Sequence, residues 1–186
     1  VIWEIPKRFI PARPNSISSD LLEKIRLWIP STDTLLFFGA TGRGKSWAAA
    51  IAARLWEQHQ KDERRKREEA DGPGFGFSHD AERCVWADVP SLAGALRDFD
   101  QSEDTVEWCQ RAGLLVLDDL GAEKGSDFLL ERVYAIVNHR YSWERPTIVT
   151  TNLDLEQMGA LWPRMASRLC SGVVVSLAGK DKRLDS

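Results

Sequence analysis

The stretch that most limits what this chain can fold into is Gly39-Ala40-Thr41-Gly42-Arg43-Gly44-Lys45-Ser46. It fits the pattern GxxxxGK[ST], and its flanks fit as well. Leu35-Leu36-Phe37-Phe38 reads as a buried strand, and Trp47 to Trp56 is rich in alanine and other helix formers. Strand, glycine loop and helix together aim successive backbone N–H groups at an anion, and the helix N-terminus adds its positive end. The expected ligand of Gly39 to Ser46 is therefore the phosphate chain of a nucleoside triphosphate, ATP by preference. Lys45 is placed to reach the β- and γ-phosphates, and the Ser46 hydroxyl to sit on Mg²⁺.

The rest of the chain supplies alternating strands and helices. Asp20 to Ile29 has one apolar face (Leu21, Leu22, Ile25, Trp28, Ile29), a capping-box-like start at Asp20-Leu21-Leu22-Glu23, and Pro30 to end it. Residues 1–16 carry three prolines and read as an extended arm lying on the domain. A second strand is predicted at Arg83–Asp88, followed by helical spacing of Leu92, Ala95, Leu96 and Phe99 and a short helix at Ser102–Arg111. Gly113–Asp118 is a continuous apolar run ending in carboxylates, the form of a buried parallel strand. Ser126 and Asp127 cap a long helix with Leu129, Leu130, Val133, Ile136 and Val137 inward. Thr147–Thr151 and Val173–Leu177 are the last strands, with Pro163 opening a helix between them. This is a single α/β domain over 1–186, built on a parallel sheet, with 1–30 as an arm and helix packed on it.

Asp118 and Asp119 close the third strand, where a doubly wound sheet carries its chemistry. By position Asp118 is the metal-binding carboxylate, and Asp119 orients the attacking water. Glu123 lies close enough to compete for the second role. Asn152, just past the Thr147–Thr151 strand, can hydrogen-bond the water or a γ-phosphate oxygen. Arg164 and Arg168 are four apart on one helix and share a face.

Composition narrows the partners. The net charge of −3 gives no bulk attraction for nucleic acid or an anionic membrane, so any such contact has to be local. One candidate is the run from Lys61 to Arg67, although its mixed signs favour a solvated helical extension. Phe75 and Phe77 in the glycine-rich loop after it could stack on single-stranded bases. Another candidate is 161–186, with five basic residues against two acidic ones. Three dispersed cysteines and three dispersed histidines suggest neither a disulfide framework nor a histidine–cysteine metal site, which suits the cytoplasm. No apolar run is long enough to span a bilayer.

The order GATGRGKS, LLVLDDLGAEK, TIVTTNL, MASRL and GKDKR resembles the AAA+ ATPases of the DnaC/IstB type, the bacterial helicase loaders and transposition helpers. Ile5-Pro6-Lys7-Arg8-Phe9 resembles that family's entry into the domain. The resemblance implies a three-layer P-loop fold with a five-stranded sheet of order 5-1-4-3-2, ATP, Mg²⁺, and active sites completed between subunits of a homo-oligomer. It gives Asn152 the sensor 1 role, Arg168 the arginine finger and Arg183 the sensor 2 arginine, although Lys182 departs from the aromatic expected beside it. Implied partners are a replicative DNA helicase or a transposase, and single-stranded DNA. The 58–83 region is longer than the family pattern. With only 38 residues before Gly39, the helicase-gripping N-terminal domain of the loaders is expected to be missing from this chain. A helicase loader is the favoured reading, with a transposition helper beside it. A P-loop small-molecule kinase is the alternative from another class, disfavoured because no arginine-rich lid is evident.

Overall fold

Alternate residues of the central strands serve two different hydrophobic cores, one on each face of a single sheet. The computed structural model describes residues 4–71, 83–98, 102–121 and 127–178. Strands β1 (Thr34–Phe38), β2 (Cys84–Asp88), β3 (Leu114–Leu120), β4 (Thr147–Thr151) and β5 (Val173–Ser176) pair in the order β2-β3-β4-β1-β5, all parallel. This is the expected order read from the other edge. Leu35, Phe37, Trp86, Val116 and Ile148 point to one core, with helices α1 (Ser19–Trp28) and α2 (Lys45–Asp71) over it. Leu36, Val85, Leu115, Leu117 and Val149 point to the other. That face is covered by α3 (Val89–Arg97), α4 (Ser102–Arg111), α5 (Asp127–Ser142), α6 (Leu155–Leu161) and α7 (Pro163–Leu169). Three layers result, as expected for helices on both faces of a parallel sheet.

The alanines after the phosphate loop have a packing role. Ala48, Ala49, Ala50, Ala52 and Ala53 are fully buried, so α2 approaches β1, β3 and β4 with no bulky side chain between. Burial ends near Trp56, and the remainder of α2 is a solvated face. There Arg64 pairs with Glu68 at 3.7 Å, Lys66 with Glu63 at 2.8 Å, and Arg65 with Asp62 and Glu69 at 3.9 and 3.8 Å. Such exposed pairs add little stability. They do set carboxylates against these arginines and the lysine, which argues for the solvated extension over a basic strip.

The arm is held more firmly than an extended segment. It forms two short 3₁₀ turns, Lys7–Phe9 and Pro14–Ser16, and crosses α2. The Arg54 guanidinium donates to the carbonyls of Phe9, Ile10 and Ala12 at 3.2, 2.7 and 2.8 Å, and Trp47 Nε1 donates to Ser16 Oγ at 2.7 Å. The cap of α1 also differs from expectation. Ser18, not Asp20, is the N-cap, and its hydroxyl accepts from the Leu21 N–H at 3.3 Å; Asp20 instead pairs with Lys24 at 2.9 Å. Serine one position outside the first turn leaves its oxygen free to reach back to the unpaired N–H groups. Strand β3 runs two residues past the expected end at Asp118, because Asp119 bulges and pairing resumes at Leu120.

No helix among the described residues is long and apolar enough to cross a membrane. The three cysteines are unpaired, and burial pushes the Cys109 thiol up to about 12. The capping of α5 by Ser126, the loop with Phe75 and Phe77, Glu123 and Arg183 lie outside the described residues.

Opposite the phosphate loop, at the far end of the sheet, Arg140 is fully buried. Its Nε donates to Thr147 Oγ1 at 2.9 Å, Nη1 to the carbonyls of Cys109, Gln110 and Ala112 at 2.9, 3.2 and 2.8 Å, and Nη2 to the Pro146 carbonyl at 2.7 Å. One planar fork thus caps the last carbonyls of α4 and fixes α5 to the start of β4. Burial lowers its pKa to about 9, still high enough for it to stay cationic at neutral pH. Arg140→Met keeps the stem but orphans several buried acceptors. It should destabilise the fold by about 3 kcal/mol or more, which lowers Tm by on the order of 10 °C for a chain of this size. A melt within experimental error of the wild type would refute this role.

Candidate functional site

The carboxyl ends of β1, β2, β3 and β4 and the first turn of α2 enclose a cleft of about 760 Å³. It is lined by Thr41, Gly42, Gly44, Lys45 and Ser46 of the loop, by Asp88, Asp118, Asp119 and Asn152 at strand ends, and by an aromatic end. Gly39, Gly42 and Gly44 all have positive φ. At Gly39, a Cβ would come within 2.5 Å of the Leu177 carbonyl oxygen, where β5 closes on β1. Only glycine fits the start of this loop. Ala40 follows it on the exposed side, and Arg43 is half-buried without lining the cleft.

Lys45 is 5% exposed and crosses the mouth of the loop. Its Nζ donates to the carbonyls of Gly39 and Ala40 at 2.8 and 2.9 Å and to Asn152 Oδ1 at 2.7 Å. Asn152 Nδ2 in turn donates to Asp119 Oδ1 at 3.3 Å. The Asn152 amide therefore stands between the loop lysine and the second aspartate, and three residues far apart in sequence meet at one point.

Thr150, which the sequence reading did not single out, sets both aspartates. Its fully buried hydroxyl donates to Asp118 Oδ1 at 2.7 Å and accepts the Asp119 N–H at 2.9 Å. That N–H is available because Asp119 leaves the strand in the left-handed region, φ +64, at the β3 bulge. Thr151 Oγ1 then donates to the Leu120 carbonyl at 2.7 Å and fixes the far side of the bulge. The signal in the sequence was a pair of threonines at the end of an otherwise apolar strand. A buried hydroxyl there needs a partner.

Burial raises the pKa of Asp118 above its ordinary value, and the neighbouring carboxylates Asp119 and Asp88 raise it further. Hydrogen bonds from Thr150 and Ser46 act the other way. Asp88 was also missed: it ends β2 opposite Asp118 and caps α3, accepting from the Ser91 N–H at 3.1 Å. Three carboxylates facing one cleft, with the Ser46 hydroxyl on one of them, form an acidic oxygen-donor set that suits Mg²⁺. Among the described residues no cluster of three or more His, Cys, Asp or Glu side chains could hold a metal unaided.

The aromatic end is formed by the arm and β2. Phe9 packs on Trp86 with centroids 5.5 Å apart, Arg8 lies 5.2 Å over Phe9, and Trp47 and Pro6 complete the wall.

Arg168 does not join this cleft. It lies on α7 against α5, with Nε donating to Asn138 Oδ1 at 2.7 Å and Nη1 to the Arg164 carbonyl at 3.1 Å. Arg164 itself is exposed.

No family model matches the chain. The Bacillus subtilis (strain 168) phage-like element PBSX protein XkdC is 25% identical over 99 residues, which cover 49% of this chain and 37% of that protein. This chain thus matches well under two thirds of that relative's length. Among solved structures, a DnaC helicase loader superimposes over 93% of this chain and all of its own, with TM-score 0.65 and 22% identity. DnaI gives 0.70 and 17% over 93% of this chain and 94% of its own. The replication initiator DnaA bound to AMPPCP and single-stranded DNA gives 0.68 and 16%, over 92% of this chain and 51% of its own. Sheet order and these likenesses define the fold as the three-layer P-loop AAA+ fold. Within that fold, its structure is similar to those of the DnaC helicase loader, DnaI and the replication initiator DnaA.

A folded carboxyl with a raised pKa costs stability once it ionises. Asp118→Asn should therefore melt higher than the wild type at pH 7. The gain should shrink as pH falls and vanish below the ordinary carboxylate range, where Asp118 is protonated in both folded and unfolded chains. Equal melting points at pH 7 would count against a desolvated carboxylate at this position.

Proposed function

We propose that this chain is an ATP-dependent AAA+ protein that binds ATP with Mg²⁺, hydrolyses it between subunits, and acts as a loader for a replicative DNA helicase. The observation that carries the reading is the meeting of Lys45, Ser46, Asp118, Asp119 and Asn152 in one cleft at the strand ends. The backbone N–H groups of Gly42 to Ser46 hold the phosphates, and Lys45 turns from the loop carbonyls to the β- and γ-oxygens. Ser46 and Asp118 would hold Mg²⁺, which neutralises charge on the phosphate oxygens when bound. Asp119 orients the attacking water, and Asn152, between Lys45 and Asp119, keeps water and γ-phosphate in line. Asp119 is one methylene shorter than glutamate, so turnover is slow.

The place of Arg168 outside its own cleft supports a guanidinium that serves the γ-phosphate of a neighbouring copy. The helicase as partner is supported by the match of 93% of this chain to the DnaC helicase loader and to DnaI. Single-stranded DNA is a further expected partner, and the cytoplasm the expected compartment. Arg183 is proposed as a second contact to the nucleotide.

Lys45→Ala should abolish tight ATP binding, read by titration with a fluorescent ATP analogue; affinity like the wild type would sink the phosphate-loop assignment. Asp119→Asn should bind ATP and fail to turn it over. Arg168→Ala should bind ATP and lose on the order of 10³-fold or more in rate. Mixing these two inactive proteins is the decisive step. Interfaces that join Asp119 of one chain to Arg168 of the next hold a complete site, so activity should return. Mixtures that co-assemble and stay inactive at every ratio would rule out a finger acting in trans. A kinase would instead show no acceptor-free hydrolysis that rises with protein concentration.

A further inference from the structure

Arg168 is held in an unusual way for an exposed-face arginine. Tyr134, Asn138 and Tyr141 project from one face of α5, at the i, i+4 and i+7 spacing of a helix. The Arg168 guanidinium carbon lies 5.5 Å from the Tyr134 ring centroid and 5.6 Å from that of Tyr141, and Nε donates to Asn138 Oδ1 at 2.7 Å. Its Nη1 donates to the Arg164 carbonyl one turn back. Among the described residues no carboxylate pairs with Arg168, and its Nη2 has no hydrogen-bond partner. The partners are thus a neutral amide, a carbonyl and two π faces. They fix the plane of the fork while leaving its charge uncancelled and its Nη2 edge unused. A surface arginine paired to Asp or Glu would be oriented at the expense of the charge an incoming anion needs.

We propose that Asn138 is a positioning residue, with Tyr134 and Tyr141 as its flanking walls, that presents the Arg168 guanidinium to a phosphate bound by a second copy of this chain. This rests on the trans reading of Arg168 given above. Losing the tether lets a long side chain swing, and a misplacement of about 1 Å can cost on the order of 10²-fold in rate. Asn138 does not line the cleft, so its loss leaves ATP affinity alone. Asparagine also has a reason over aspartate: aspartate keeps the geometry but pairs the charge.

The test uses the full chain carrying Asn138→Leu, which keeps volume and removes the acceptor. It should bind ATP with unchanged Kd and hydrolyse it roughly 10–100-fold more slowly. Asn138→Asp should be slow as well. The distinguishing readout is the mixing pattern. Asn138→Leu mixed with Asp119→Asn should regain activity, whereas mixed with Arg168→Ala it should stay slow, because every interface then lacks a well-placed finger. Should Asn138→Leu fail to fold, Tyr141→Leu at a half-exposed surface position serves in its place and should follow the same pattern with a smaller loss. Wild-type turnover by these variants beside an inactive Arg168→Ala would overturn the proposal. Recovery in the Arg168→Ala mixture would overturn it equally. If instead Arg168→Ala with Asp119→Asn never recovers, the trans reading itself is what has failed.

Discussion

The Thr150 hydroxyl joins the pairing of β3 and β4 to the chemistry at their ends. It accepts the Asp119 N–H and donates to the Asp118 carboxylate within one buried contact. Regular parallel pairing would use that N–H on a strand carbonyl and point Asp118 and Asp119 to opposite faces. The bulge breaks this alternation, and both carboxylates reach the same cleft. A left-handed non-glycine residue costs about 1–2 kcal/mol, and the two threonine hydroxyls, one on each side of the bulge, offset it. The cost is local and the gain is functional, the pattern expected where strain is stored at a site.

Arg140 does the opposite job at the other end of the sheet. There the problem is not to gather charge but to terminate elements without water. The carbonyls of Cys109, Gln110, Ala112 and Pro146 converge there on the Arg140 guanidinium, while Arg145 takes the Arg111 carbonyl at 2.7 Å. The chain thus uses its arginines in three distinct ways. Arg140 is buried as a hub, Arg54 staples the arm, and Arg168 is held on a surface with its charge unspent. What distinguishes them is the set of acceptors each meets, since the side chain is the same.

Much of this was legible in the sequence, for physical reasons that can be named. Glycine spacing fixes the phosphate loop because φ and close approach leave no substitute, as the Gly39 contact with Leu177 illustrates. Uninterrupted apolar runs gave the strands, but their order came only with the resemblance to the AAA+ ATPases. Asn152 was readable as a strand-end amide, but its place between Lys45 and Asp119 was not. Thr150 and Asn138 were missed because each acts through a partner 30 or more residues away, and no local pattern records such pairs; Asp88 has a local cap partner in Ser91, but its place opposite Asp118 comes only with strand pairing. Strand β3 was ended two residues early because two aspartates look like an exit from a sheet; only the threonines on β4 make them part of it. Ser18 was passed over because Asp20 offered a capping box of equal local quality.

The electrostatic layout of the cleft favours taking up a cation and a polyanion together. Asp118 is desolvated, and Asp88 and Asp119 face it, so the acidic end by itself is raised in energy relative to the same groups in water. A bare triphosphate would add repulsion to that end while drawing on Lys45 and the loop amides at the other. A divalent cation would offset both penalties at once, because the carboxylates and the phosphates would both attract it. The same reasoning keeps Arg168 away from its own cleft. A cation resident there would be neutralised by three aspartates before any phosphate arrived. On α7 it is held instead by a neutral amide and two π faces, away from those aspartates, and among the described residues no carboxylate pairs with it.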